Sequence, residues 1–261
     1  MIYAAVITNG FWFLISLLEN LPDHFYVGAS VILYAVFLFE LYSTKYYAQR
    51  LLDQFALPQV DEKDRTVHLI HHVILPSVTY WSFIVFTFFN HQRSLQLPLL
   101  AIIFVTFAVL FTNIRAYYED KFKLEQYTHS IYDMLMLIVL FIATDANINL
   151  FGFLGSRVWI SSFFIIAAFL VMAALTLVRY HVLLRDAVAM LVTWGALAIS
   201  TLLILQAFYF QPFAVSFLFT LLLYYFIALL HHRLDMSLSW KVISEYVVVF
   251  LIFIVLLFGV A

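Results

Sequence analysis

Cysteine is absent from the chain, which excludes disulfides, thiolate metal sites and cysteine nucleophiles together. Charge is scarce: Asp, Glu, Lys and Arg make up 11% of the residues, where soluble domains run near a quarter. The net charge of −2 offers no basic surface for nucleic acid. Only six glycines occur in 261 residues, so the close approach of helices to a porphyrin is not advertised. No pair of glycine-interrupted helices of the kind transporters use stands out either.

What fills the chain instead is apolar, 66% of its residues. Runs of about 20 apolar residues recur along the whole length, the signature of membrane-spanning helices. The expected architecture is an all-α, polytopic membrane helix bundle, a single transmembrane domain over residues 1–261 with no soluble domain. Nine spans are expected, at roughly 2–18, 25–46, 67–90, 97–117, 127–144, 158–180, 187–210, 213–232 and 242–260. The opening MIYAAVITNGFWF has no basic n-region and reads as a retained first span. The segment DANINLFGFLGSR, residues 145–157, reads as a polar break between spans five and six.

The basic residues orient this bundle. Lys45, Arg50, Lys63, Arg65, Arg115, Lys121, Lys123, Arg179, Arg185, Arg233 and Lys241 fall in the connections after even-numbered spans. The other connections hold only Arg93 and Arg157. Cytoplasmic loops collect Lys and Arg, so the N-terminus is expected inside and the C-terminus outside, in a plasma or inner membrane. Tyr224, Tyr225, Tyr246 and most other tyrosines then lie in cytoplasmic halves, where an interfacial belt accounts for most of them.

On that topology seven of the nine histidines cluster at cytoplasmic helix ends: His68, His71, His72, His129, His181, His231 and His232. Asp64, His68 and His72 share one helical face at i, i+4, i+8, with His71 beside them. Pro76 follows four residues after His72 and frees its carbonyl. Glu125, His129 and Asp133 repeat the i, i+4, i+8 spacing. The apolar run from Met134 to Ala143 is too short to cross, so the fifth span is expected to begin near Tyr127 and draw His129 and Asp133 below the headgroups. An Asp there costs about 2–3 kcal/mol unless paired or hydrated. Glu40 and Glu245 lie at comparable depth on the same side.

These residues point to a polar pocket in the cytoplasmic leaflet. His68, His71, His72, His129, His231 and His232 are the candidate metal ligands, and Asp133, Glu40 and Glu245 the candidate catalytic carboxylates. Imidazole suits iron or zinc, and ligand pairs at i, i+3 or i, i+4 on facing helices are how bundles build metal sites. Haem b ranks below a non-haem metal. The functional expectation is a metal-dependent, oxidative membrane enzyme acting on a lipid or another apolar molecule. A proton-coupled transporter and a non-catalytic membrane subunit are the alternatives, the last because histidines at a membrane interface are ordinary. Membrane lipids and an apolar small molecule are the expected partners; nucleic acid is not.

The stretch His68-Leu69-Ile70-His71-His72 resembles the HxxHH box of membrane fatty-acid desaturases and hydroxylases. The resemblance implies di-iron ligation at the cytosolic face. Those families carry three boxes; this chain has one, and Ala228 stands where a histidine would complete a second with His231 and His232. The likeness covers five residues, and the chain is not assigned to those families.

Overall fold

The structure is a computed structural model that describes residues 2–54, 73–90, 92–119, 125–155, 158–180, 182, 184–207 and 211–260. His68, His71 and His72 lie outside the described residues, as does the side chain of His129. Among the described residues there are nine helices and no strand. They are α1 (Ile2–Asn20), α2 (Asp23–Gln54), α3 (Leu75–Phe89), α4 (Arg93–Glu119), α5 (Glu125–Phe153), α6 (Val158–Arg179), α7 (Leu184–Ala207), α8 (Pro212–Leu234) and α9 (Trp240–Val260). Seven stretches within them are long and apolar enough to cross a membrane, in α1, α2, α4, α5, α6, α7 and α8. The apolar α3 has 15 residues, about 22 Å at 1.5 Å per residue.

One expectation is corrected in α5. Residues 145–153 of the expected polar break are helical, and the stretch able to cross is Asp133–Phe153, 21 residues. The helix offers length on its C-terminal side as well, so span length alone does not decide where His129 lies. Local bonding explains why the polar run continues the helix. Asn149 donates through Nδ2 to the Asp145 carboxylate at 2.9 Å and to the Asp145 carbonyl at 3.0 Å. Asn147 accepts from Ser161 of α6 at 2.9 Å. Side-chain amides thus take up polar groups that a loop would give to water.

The helices fall into two compact units, Met1–Leu135 and Met136–Ala261. In the first unit α1 packs against α2, α3 and α4. Its core is aromatic. Phe37 stacks on Tyr80 with centroids 5.3 Å apart, while Phe11 meets Tyr80 edge-on at 5.7 Å and Phe37 meets Phe107 edge-on at 5.6 Å. Two phenols tie α2 to α3: Tyr26 donates to the Ile84 carbonyl at 2.7 Å, and Tyr80 to the Ser30 carbonyl at 2.8 Å. A π-helical turn at Val73 and Ile74 precedes Pro76 at the start of α3, the kind of local widening that accompanies a proline. Gly10 lets Leu33 of α2 close on α1, since a Cβ there would come within 2.5 Å of Leu33 Cδ1.

In the second unit α8 is the central element, packing on α6, α7 and α9. Phe219 meets Phe169 of α6 edge-on at 6.2 Å, and Phe226 meets Trp194 of α7 at 5.4 Å. Its Pro212 sits in the first turn, where its missing N–H costs nothing.

Candidate functional site

Two features of the second unit carry chemistry, and both are organised by α8. The first is the polar end of that helix. His231, His232 and Arg233 occupy its last turn, where the partial negative charge of the unpaired carbonyls favours cations. The Asp235 and Ser237 amides close the turn on the His231 and His232 carbonyls, each at 2.9 Å. The His231 Nε2 hydrogen-bonds the hydroxyl of Tyr180, which follows α6. The His232 Nδ1 pairs instead with the Ser237 hydroxyl at 2.9 Å. Arg233 reaches Asp186 of α7 at 3.1 Å, both side chains about half exposed. The two adjacent histidines therefore serve different partners.

The other expected site residues are distributed as follows. Glu40, half-buried on α2, and Asp133, 7% exposed on α5, belong to the first unit. Glu245 is exposed on α9, in the second. Among the described residues no three His, Asp or Glu side chains come together as a metal-ligand set.

The second feature is a groove of about 340 Å³ that α7, α8 and α9 enclose. Each helix gives it one stripe at helical spacing: Leu197, Thr201 and Ile204 from α7, Leu218, Leu222 and Tyr225 from α8, and Tyr246, Val247 and Phe250 among others from α9. Its volume falls at the low end of small-molecule pockets. The walls are apolar even where the sequence is not. Ser200 and Thr201 turn their hydroxyls back to the Ala196 and Leu197 carbonyls, each at 2.9 Å. Two rings link the groove to the polar end of α8: Tyr246 lines it and meets the His232 ring edge-on with centroids 6.1 Å apart.

Tyr225 lines the groove, while its hydroxyl has almost no accessible surface. Its ring is 4% exposed and lies against Tyr246 at 5.3 Å and Phe250 at 5.8 Å. Its hydroxyl is buried without a hydrogen-bond partner. Thr87, Thr106 and Thr144 also hold unpartnered buried hydroxyls, but none of them lines the groove. A threonine can also rotate toward its own helix carbonyl. A tyrosine hydroxyl stands too far from its backbone to do so. Sequence reasoning placed Tyr225 only among the tyrosines of the cytoplasmic halves, most of which an interfacial belt explains, and did not single it out.

The groove also falls within the stretch that comparison with known proteins identifies. A family with the description Protein of unknown function (DUF5656) matches residues 48–260. No curated protein matches the chain. No solved structure matches it.

The two kinds of buried phenol should separate in stability measurements. Tyr80→Phe removes a satisfied buried hydrogen bond and should lower unfolding stability by about 0.5–1.5 kcal/mol. Tyr225→Phe removes an unsatisfied hydroxyl and should leave the thermal midpoint unchanged or raise it. Thermal unfolding in one detergent, followed by circular dichroism, checks both; a Tyr225→Phe protein as destabilised as Tyr80→Phe would contradict the assignment.

Proposed function

The chain belongs to the DUF5656 family of proteins of unknown function, and we propose that it is a multi-pass membrane protein that takes a lipid-like molecule laterally from the bilayer into the α7–α8–α9 groove. The observation that carries this reading is the groove itself, an apolar space built from three helices. A space of this kind in a bilayer exchanges most readily with lipid, since its walls offer water almost nothing to bond. Exposed apolar residues continue from its rim, with Leu197 and Leu251 on opposite walls 43% and 54% exposed. The polar end of α8, with His231, His232 and Arg233, adjoins the groove through the His232–Tyr246 ring contact and supplies the charge that a lipid headgroup would meet.

Val247 and Val248 give a matched test, because both are about half exposed on α9 and only Val247 lines the groove. Protein extracted with its surrounding bilayer should retain an apolar lipid detectable by mass spectrometry. Val247→Trp should reduce the retained amount severalfold while Val248→Trp leaves it unchanged. Equal retention by the two variants would remove the groove from consideration.

The orientation we propose follows the bias of basic residues, with the turn between α8 and α9 cytoplasmic and the turn after α5 outside. The absence of cysteine makes the wild type a ready background for labelling. A membrane-impermeant maleimide added to intact cells should modify Leu154→Cys and spare Leu238→Cys; the reverse pattern would invert the topology.

Metal-dependent oxidation of the bound molecule is a second reading, favoured by the gathering of seven histidines on the basic side. It rests on His68, His71, His72 and His129 joining His231 or His232. It predicts stoichiometric iron or zinc in purified protein, reduced by His72→Ala and by His129→Ala. Metal-free protein on elemental analysis would end this reading and leave the lipid groove untouched.

A further inference from the structure

Resting on the groove reading, we infer that its occupant is one straight acyl chain of a bilayer phospholipid, lying along the helix axes with its phosphate at the polar end of α8. The shape of the space points to a single chain. The lining runs from Trp194 to Leu205 on α7 and from Leu218 to Leu229 on α8. Each interval is eleven residues, about 16 Å of helix. A volume of about 340 Å³ spread over that length leaves a space about 5 Å across. Packed carbons sit about 3.5–4.0 Å apart, so one hydrocarbon chain fills such a width. Two chains side by side, or the broad face of a fused-ring body such as a sterol, do not fit. The walls agree with this. Ser200 and Thr201 bond the Ala196 and Leu197 carbonyls of their own helix, and the Tyr225 hydroxyl has almost no accessible surface. These hydroxyls give an occupant nothing to bond, so a polar atom within its body goes unpaired.

Charge fixes the direction of the chain. Trp194 packs on Phe226, so the Trp194 end of the groove is the one nearest the C-terminus of α8. Arg233 lies at i+4 from Leu229, one turn beyond the lining on the same helix face. Its side chain is half exposed and gives one nitrogen to Asp186. A guanidinium carries five N–H donors, so several remain for a phosphate oxygen. A chain seated in the groove with its phosphate at Arg233 runs parallel to the helices, as the chains of the surrounding phospholipids do. The second chain of the same lipid stays outside, against the exposed Leu197 and Leu251 of the rim.

Trp194 lines the groove and reports on it. Full-length protein is purified in a steroid-based detergent, which brings no straight chain of its own. It is titrated with a phospholipid brominated on one acyl chain, with a long-chain alcohol bearing the same brominated chain, and with a brominated sterol. The saturable quenching lost in Trp194→Phe is the groove signal. The phospholipid and the alcohol should give it and the sterol should not. Arg233→Gln should raise the half-saturating concentration of the phospholipid about three- to tenfold. The alcohol should bind that variant as it binds the wild type, which also shows that the groove is intact. Saturable quenching by the sterol equal to that by the phospholipid, or unchanged phospholipid binding in Arg233→Gln, overturns the inference and leaves the groove standing. Absence of saturable quenching by every probe overturns both.

Discussion

Seven stretches of the described residues are long and apolar enough to cross a bilayer, and inside one every polar group must find its partner within the chain, a constraint that the fold reflects. It explains why the described residues are helical. It also explains what the helices do with their hydroxyls. Thr8, Ser30, Thr79, Thr176, Thr193 and Ser216 each donate to the carbonyl four residues earlier on their own helix. Polar residues so treated become apolar surface, and helices that contain them can pack or face lipid. Where a hydroxyl cannot fold back, as with the long phenols of Tyr26 and Tyr80, it reaches a carbonyl of the neighbouring helix and becomes a cross-tie. Tyr225 does neither, and stands out for that reason.

With lipid tails as apolar as leucine, helices gain little by hiding hydrophobic faces from one another, and packing quality decides association. Each unit meets this need in its own way. The first interlocks aromatic rings from four helices around Phe11, Phe37, Tyr80 and Phe107, with Gly10 letting α1 close on α2. The second wraps α8 with α6, α7 and α9, and Gly195 admits Leu170 to within 3.2 Å of where a Cβ would stand. Between α7 and α9 that wrapping is incomplete, and the groove is the result.

Much of this was legible in the sequence because hydrophobic runs are long and their interruptions charged. Each of the nine expected spans overlaps a helix among the described residues, and seven of those helices hold a stretch long and apolar enough to cross a membrane. The failure at α5 has a physical cause. Asp145, Asn147 and Asn149 look like loop residues one at a time, yet they satisfy one another and Ser161, so the helix runs on to Phe153. The histidine expectation divides in a similar way. Sequence placed His231 and His232 together at a helix end, which the structure has, but it could not say that their rings bond Tyr180 and Ser237 separately. The groove was invisible beforehand, because no periodicity tells a stripe that meets a partner helix from one that faces a gap.

The five-residue turn Asp235–Ser239 joins α8 to α9, with Met236 in the left-handed region at φ 55°. That turn holds the third wall of the groove to the floor, and it comes after α7 and α8 in the chain. Synthesis therefore delivers the floor and one wall before the other wall exists. The cleft has no third wall until α9 has been made and docked on α8, so its assembly is a late event in the biogenesis of the chain.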